Sequence, residues 1–226
     1  MATHNIMLIG KTGHGKSSTA NTLVGSKVFK SSGSSSSTTK EIQYATTTID
    51  GHHIRVVDSP GMKDTADHTS DSAKAIDYMR RALKTCDNRI HLFLFVFKYG
   101  VKFTSEEIEA IRTFYLNGNN KTKFLPKCAV LFTNGAEFDL DNADRVDFQV
   151  WCKQQRELMA VLLRDVQYRA ILFENKRVTI ERKEKQRRDV IQMAQQVTAT
   201  AGPYTNREFE AAVDAYEKVD KCCCVM

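Results

Sequence analysis

The 226-residue sequence lacks the features that would place it across a membrane or in an oxidising compartment. No apolar run approaches the roughly 20 residues that a transmembrane helix needs, and the first residues do not resemble a secretory leader. The cysteines show neither disulfide-framework nor zinc-site spacing. We therefore expect a cytoplasmic protein in a reducing compartment, with Cys86, Cys128 and Cys152 as buried core thiols.

Basic stripes with interleaved aromatic residues, which would favour nucleic acid, are also absent. The net charge of +6 suits polyphosphate ligands and acidic membrane surfaces. Nucleic acid is therefore not expected as a partner. The sequence is 42% hydrophobic and 27% charged, which is the balance of an ordinary globular domain.

Short apolar runs alternate with segments of helical periodicity along most of the chain. The candidate strands are residues 5–10, 41–49, 53–58, 91–97, 128–133 and 170–173. Asp50-Gly51 is typical of a tight hairpin, so the second and third strands should be antiparallel. We predict an α/β fold with a doubly wound, mostly parallel six-stranded sheet that contains one antiparallel strand.

Capping patterns and apolar periodicity predict the helices. Thr104 with Glu107 forms a capping box, and Thr205 with Glu208 forms another before an amphipathic carboxyl-terminal helix. Two further helices are predicted over 145–166, with one broad apolar stripe, and over 179–198, with a solvated charged half. We expect a domain over residues 1–200, the amphipathic helix over 201–221 and a tail over 222–226.

A glycine-rich run follows the first strand and opens a helix. It consists of Gly10, Lys11, Thr12, Gly13, His14, Gly15, Lys16, Ser17 and Ser18. Gly-x4-Gly-Lys-Ser is the pattern of a P-loop, in which successive backbone N–H groups converge on phosphate oxygens. Lys16 would reach the terminal phosphates and the Ser17 hydroxyl would ligate Mg²⁺. The alternative, a glycine-rich structural turn, is disfavoured by the strand before it and the helix after it.

A second element, Asp58-Ser59-Pro60-Gly61, stands at the end of the third strand. Asp58 would face the metal, usually through water, and the Gly61 N–H would meet the terminal phosphate. Thr39, rather than Thr38, is our candidate to cap the metal while that phosphate is present. The alternative is that both are ordinary loop hydroxyls, which applies more to Thr38 than to Thr39. An antiparallel strand before Asp-x-x-Gly is the arrangement of small GTPases.

Two segments are candidates to read the base. Asn134-Gly135-Ala136-Glu137 stands where guanine-binding proteins carry Asn/Thr-Lys-x-Asp. A carboxylate at Glu137 would select guanine by accepting two N–H donors that adenine does not offer together. The second candidate is Glu174-Asn175, after the last strand, which is also compatible with a polar lead-in to a helix.

Together these residues resemble the immunity-associated nucleotide-binding GTPases, the GIMAP/IAN or avirulence-induced-gene family, and more distantly the chloroplast import GTPases. The matching segments are the P-loop, residues 29–31, 39–40, 58–61, the block 93–107, residues 131–133 and 173–176. The resemblance covers about residues 5–198. It is specific because the middle block and the Phe-x-Asn-Lys element are not general GTPase features.

The resemblance implies binding of GTP and GDP with Mg²⁺, and nucleotide-dependent homodimers or oligomers formed through the G domains, often on membranes. It also implies that Ser31 approaches the ribose or base edge and that Asn175 approaches guanine. The sequence departs from the family at Gly135 and Glu137, where lysine and aspartate are usual. By analogy with the import GTPases, Glu174 carries part of the selectivity.

Hydrolysis is expected to be slow. Met62 occupies the position where faster GTPases often carry a glutamine that orients water, and methionine cannot do this. With Lys16, Thr39 and Gly61 as the catalytic set, we predict a slow GTPase that acts as a membrane-associated switch or assembling scaffold. The alternatives are a dimerising scaffold with negligible hydrolysis and a P-loop ATPase or kinase, which the Asp-x-x-Gly hairpin disfavours.

The last residues, Cys223-Cys224-Val225-Met226, form a C-a-a-X motif in which the final Met favours farnesyl on Cys223. One prenyl chain binds membranes only marginally, and palmitoylation of Cys222 would supply the second signal. We expect lipid anchoring at the cytosolic face of a membrane. A redox-active or accidental cysteine cluster is the alternative.

Overall fold

The computed structural model describes residues 3–30, 42–59, 68–105, 107–108, 111, 118–142, 146–176 and 178–223. The strands of this part are β1 Thr3–Ile9, β2 Gln43–Ile49, β3 His52–Asp58, β4 Arg89–Ile90, β5 Leu92–Lys98, β6 Cys128–Thr133, β7 Ala170–Leu172 and β8 Tyr204–Thr205. Its helices are α1 Lys16–Val24, α2 His68–Thr85, α3 Gly118–Phe124, α4 Gly135–Asp141, α5 Phe148–Gln154, α6 Glu157–Asp165, α7 Ile180–Ala201 and α8 Asn206–Cys223.

Within the described residues, six strands form one sheet in the order β2-β3-β1-β5-β6-β7. The β2–β3 pair is antiparallel, and every other pair in this sheet is parallel. The sequence prediction of a mostly parallel sheet with one antiparallel strand is confirmed. The carboxyl ends of β1, β3, β5, β6 and β7 consequently meet at one edge, where ligands bind in open α/β sheets.

Both faces of the sheet are covered, which explains why the central strands are nearly continuous apolar runs. Along β1, Met7 and Ile9 belong to one buried cluster while Ile6 and Leu8 belong to the other. The first cluster includes residues of α2 and α8, and the second includes residues of α1 and α7.

The three isolated cysteines are buried, as predicted. Cys86, Cys128 and Cys152 are free thiols inside the protein. Burial raises the pKa of the Cys86 and Cys152 thiols to about 12 and raises that of Cys128 as well. These thiols are consequently poor nucleophiles at neutral pH.

The single helix predicted over 145–166 is wrong. The chain forms α5 and α6 instead, because Gln155 is extended and Glu157 takes a left-handed φ of 51°. Val146 and Val150 are 37% and 47% exposed, so the predicted apolar stripe does not continue through α5. Neither glycine nor proline marks this break in the sequence.

Both capping boxes place their carboxylates as predicted. Glu107 Oε2 accepts a hydrogen bond from the Thr104 N–H at 3.0 Å, although most of the following predicted helix lies outside the described residues. Glu208 Oε2 accepts one from the Thr205 N–H at 2.8 Å, and Thr205 Oγ1 accepts one from the Glu208 N–H at 3.3 Å. Each carboxylate satisfies a backbone donor at a helix start.

The carboxyl-terminal helix α8 shares its core with the sheet. Phe209 and Val213 are buried in the cluster that contains Phe93 and Tyr204. The two-residue strand β8 pairs with β4 and fixes the start of this helix. The domain boundary predicted at residue 200 stays a prediction. Among the described residues, no helix is both long and apolar enough to cross a membrane.

The charged start of α7 is only partly a solvated face. Gln186 is 3% exposed, and the Arg187 Nε donates to the carbonyl oxygen of Leu23 at 3.1 Å. This contact joins α7 to the end of α1. The predicted solvation applies to the exposed charged side chains of the segment, such as Glu181 and Arg188. Lys185 and Asp189, for example, form an exposed ion pair along the helix.

Candidate functional site at the carboxyl edge of the sheet

The glycine-rich loop between β1 and α1 is packed so closely that side chains are excluded at its start. A Cβ on Gly10 would lie 2.4 Å from the carbonyl oxygen of Val96. This is a steric clash that the backbone of β5 cannot relieve by a small movement. Gly15 stands immediately before α1 with a φ of 95°, in the left-handed region that favours glycine. The two glycines allow the loop to turn tightly into the amino terminus of α1, which is a favourable site for phosphate.

Lys16 is the first residue of α1, and its side chain folds back over the loop. Its Nζ donates to the carbonyl oxygen of Lys11 at 3.0 Å, and the residue is 6% exposed. Burial lowers the pKa of Lys16 to about 8, while the nearby Asp58 carboxylate opposes this shift. The ammonium is therefore held beside the loop, where the negative charge of a bound polyphosphate would stabilise it.

Ser17 and Asp58 meet although they are 41 residues apart. The Ser17 Oγ donates to Asp58 Oδ2 at 2.6 Å. Asp58 is fully buried, and burial raises its pKa, while the Ser17 hydrogen bond and the Lys16 charge act in the opposite direction. Within the described part of the chain, the other carboxylate oxygen, Oδ1, is buried without a hydrogen-bond partner. A hydroxyl, a carboxylate and an unsatisfied oxygen together suit Mg²⁺, which prefers oxygen ligands.

His14 lies in the loop, but its side chain faces the protein interior. The residue is 7% exposed, and its ring centroid lies 6.4 Å from that of Phe97. The carbonyl oxygen of His14 accepts a hydrogen bond from Thr133 Oγ1 at 2.8 Å. His14 can therefore contact a bound ligand only through its backbone. The motif did not indicate that the imidazole faces inward.

The predicted base-reading segment begins with a turn. Asn134 has a φ of 69° and precedes α4. The Gly135 N–H donates to the carbonyl oxygen of Phe173 at 3.1 Å, which joins the ends of β6 and β7. Glu137 lies in the first turn of α4 with an exposed side chain. Its carboxylate is accordingly accessible to a ligand at this edge.

Glu174 is engaged differently from Glu137. It is 4% exposed, and its two carboxylate oxygens accept hydrogen bonds from the Ala136 N–H at 2.8 Å and the Lys176 N–H at 2.7 Å. The Gln186 side chain also bonds both the N–H and the carbonyl of Glu174. Glu174 therefore holds the two base-side loops together, a role that the sequence pattern did not reveal.

Asn175 is bonded to α1. Its Nδ2 donates to Thr19 Oγ1 at 3.1 Å, and its Oδ1 accepts from Thr22 Oγ1 at 2.9 Å. Thr19 is fully buried, and this network connects the last loop with the helix that follows the P-loop. In this arrangement the amide fixes the loop that carries it, while its predicted contact with guanine stays a prediction.

Several predicted site residues lie outside the described residues. They are Ser31, Thr38, Thr39, Gly61 and Met62. The lipidation candidates Cys222 and Cys223 fall in the last turn of α8, and the three residues after them are outside the described part. The structure therefore brings together the P-loop, Asp58 and the two base-side loops, and leaves the roles of these other residues as predictions.

The family model described as the AIG1 family matches residues 4–223. The chain belongs to the AIG1 family. Immune-associated nucleotide-binding protein 10 of Arabidopsis thaliana is 32% identical over 205 residues, which cover 89% of this chain and 42% of that protein. The first relatives that the chain matches are longer, since it spans somewhat under half of their length.

Solved structures of Toc33 from Arabidopsis thaliana show the same fold. The structure of Toc33 in complex with Mg²⁺ and GMPPNP has a TM-score of 0.58 and 17% sequence identity, and the match covers 91% of this chain and 88% of that one. A second structure has a TM-score of 0.58 and 17% sequence identity, and the match covers 90% of this chain and 86% of that one. It is described as showing that dimerization is important for the GTPase activity of atToc33 and psToc159. At such identity the likeness establishes the G-domain fold and nothing further.

Proposed function

We propose that this AIG1-family chain binds GTP and GDP with Mg²⁺ and hydrolyses GTP slowly. The hydrogen bond of 2.6 Å between Ser17 and Asp58 carries this proposal. It brings a hydroxyl and a buried carboxylate to the start of α1, beside the Lys16 ammonium. A bound Mg²⁺ would neutralise charge on the β- and γ-phosphates, and Ser17 and Asp58 would hold it. Lys16 and the loop N–H groups would orient the phosphates.

The preference for guanine is supported by the exposed carboxylate of Glu137. Glu137 extends from the turn that Gly135 and Glu174 fix to the end of β7. In this position a carboxylate accepts the paired N–H donors of guanine and has no such pair to bind in adenine. Relatives named as nucleotide-binding proteins, and Toc33 structures with GMPPNP and with GDP, fit this proposal.

Calorimetric titration with GTP, GDP and ATP in the presence of Mg²⁺ tests the binding proposal. The intact chain should bind both guanine nucleotides more tightly than ATP. Lys16→Ala should remove binding of all three, while Lys27→Ala, an exposed lysine just beyond α1, should leave it unchanged. Equal affinity for ATP and GTP would contradict the guanine assignment and favour the ATPase or kinase alternative.

We also propose that hydrolysis depends on pairing of G domains. Met62 cannot orient water, so a second copy would have to complete the site. Toc33, for which dimerization is described as important for the GTPase activity, supports this possibility for a G domain of this fold. Phosphate release per chain should rise with protein concentration. A zero rate at every concentration, with normal GTP binding, would instead identify a non-hydrolysing scaffold.

Membrane association is proposed through lipid groups on Cys223 and Cys222, so that the chain acts as a nucleotide-dependent switch or assembling scaffold at the cytosolic face. Isoprenoid labelling of cells that express the chain should give a labelled protein in the membrane fraction. Cys223→Ser should abolish the label, and Cys224→Ser should retain it, since the second residue of a C-a-a-X motif is not the acceptor. Label that survives Cys223→Ser would show the assignment to be wrong.

A further inference from the structure

His14 and Glu107 form a buried contact behind the phosphate loop. The His14 Nδ1 lies 3.3 Å from Glu107 Oε1, and the two side chains are 8% and 6% exposed. Burying polar groups costs free energy, which the close approach of an imidazole nitrogen and a carboxyl oxygen partly offsets. The contact therefore connects the middle of the loop to a segment 93 positions later in the sequence.

The second carboxylate oxygen of Glu107 has another task. Oε2 accepts hydrogen bonds from the Thr104 N–H at 3.0 Å and from the Thr104 hydroxyl at 3.4 Å. One side chain thus caps the turn that begins at Thr104 and reaches the loop residue His14. Any displacement of that turn would be transmitted to the loop through Glu107.

The loop needs such a support because it is rich in glycine. Gly13 and Gly15, on either side of His14, have φ values of 86° and 95°. Glycine loses more conformational freedom on ordering than any other residue, so an unsupported loop of this composition would bind phosphate at a high entropic cost. His14 supplies the one side chain between them. That side chain lies against Glu107 and the ring of Phe97, while the Thr133 hydroxyl holds the His14 backbone carbonyl.

We propose that Glu107 is a positioning residue of the phosphate loop and acts on it through His14. The proposal rests on the proposed nucleotide binding, and Glu107 itself touches no phosphate. Burial and the charge of Lys16 lower the pKa of His14 to about 4, so the imidazole is neutral at physiological pH. The contact is therefore one between a neutral ring and the Glu107 carboxyl group, and it holds the loop without adding positive charge.

A double-mutant cycle on GDP affinity tests this positioning role. His14→Ala and Glu107→Ala should each weaken GDP binding about tenfold, the order expected for loss of one buried polar contact. The double variant should also be about tenfold weaker, and not hundredfold, because both changes break the same link. Multiplying effects would show that the two residues act independently, which would overturn the proposal.

Glu208→Ala is the matched control. Glu208 accepts a hydrogen bond from the Thr205 N–H at the start of α8, just as Glu107 accepts one from the Thr104 N–H. Unlike Glu107, Glu208 does not contact His14 or the phosphate loop. Both variants should lower the melting temperature, but only Glu107→Ala should weaken GDP binding. Equal GDP affinity in Glu107→Ala and the intact chain would reduce Glu107 to a helix cap. If Glu107→Ala does not fold, Glu107→Gln replaces it, since glutamine can still cap a helix.

Amide hydrogen exchange of the nucleotide-free chain separates this proposal from the proposed function. The amides of residues 13–16 should exchange faster in Glu107→Ala and remain unchanged in Glu208→Ala, with β1 protected in both. Unchanged exchange in the loop would overturn the positioning role. If the loop amides exchange faster in Glu107→Ala but the intact chain binds no GDP, Glu107 positions the loop and the nucleotide assignment is wrong.

Discussion

The carboxylate of Glu174 accepts a hydrogen bond from the backbone N–H of Ala136 at 2.8 Å, across the gap between the two base-side loops. Its other oxygen accepts from the Lys176 N–H at 2.7 Å, so both oxygens are committed to the backbone. These contacts favour Glu137 over Glu174 as the group that reads guanine.

Glu137→Gln should therefore relax the preference for guanine, because an amide presents only one acceptor to the two N–H donors of the base. Glu174→Gln should weaken GTP and ATP binding together and lower stability, because its amide group would face a backbone donor. Competition between GTP and ATP for each variant measures the difference. A selective loss of guanine preference in Glu174→Gln would reverse this assignment.

Gly10→Ala should abolish nucleotide binding and lower stability, because the new Cβ would lie 2.4 Å from the Val96 carbonyl oxygen and would push the loop away from β5. Gly51→Ala serves as the control. Gly51 has a φ of 80° with open space around it, so alanine there costs only the left-handed conformation, about 1–2 kcal/mol. Chemical denaturation and GDP titration of both variants check the prediction, which fails if Gly10→Ala binds GDP normally.

Stability should fall as the pH drops from about 6.5 toward about 4. Burial, followed by the charges of His4 and Arg89, lowers the pKa of His91 from 6.5 to about 4. His91 Nδ1 accepts a hydrogen bond from the Asn5 N–H at 3.0 Å, which requires the neutral ring. A folded-state pKa below the unfolded value means that His91 contributes fully above pH 6.5 and that this contribution is lost in acid.

His91→Asn should keep an acceptor for the Asn5 N–H and remove about 2 kcal/mol of the pH-dependent free energy of unfolding. One pKa unit corresponds to about 1.4 kcal/mol, and solvent reduces the effect at this partly exposed ring. His4 and His14, whose pKa values are also lowered, contribute to the pH dependence in the same direction. Urea denaturation at pH 7.5, 6 and 5 measures the slopes. Identical slopes for the variant and the intact chain would contradict the role of His91.

Phe209→Ala should destabilise the fold by about 3–5 kcal/mol, as expected for an aromatic side chain lost from a packed core. Arg80→Ala is the comparison, because the bidentate Arg80–Glu210 pair joins α2 to α8 at the surface. The side chains of Arg80 and Glu210 are 47% and 37% exposed. Loss of this pair should cost less than about 1 kcal/mol. Similar costs for the two variants would mean that α8 is held at the surface and not through the core.

The sheet and the P-loop were predictable because they depend on local patterns. Apolar runs marked the buried strands of the six-stranded sheet, and Asp50-Gly51 marked the antiparallel pair of β2 and β3. The break between α5 and α6 was not predictable, since Glu157 adopts a left-handed conformation without a glycine or proline to indicate it.

Long-range side-chain partners were also beyond the sequence. Glu174 and Asn175 stand in a segment typical of a base-reading loop, but their contacts with Ala136 and Thr19 arise from the assembled sheet and α1. The inward orientation of His14 depends in the same way on Glu107 and Phe97. A motif indicates which residues gather at a site, and the packing decides which of them face the ligand.

The pairing of β4 with β8 also affects folding during synthesis. Ile90 pairs with Tyr204, and the Tyr204 ring completes an aromatic cluster with Phe93 and Phe124. The ribosome has therefore made most of the chain before the residue that closes this cluster is available. Until then the part of this sheet face beside α2 is left uncovered, so we expect chaperones that shield apolar surface to assist the nascent chain until β8 and α8 dock.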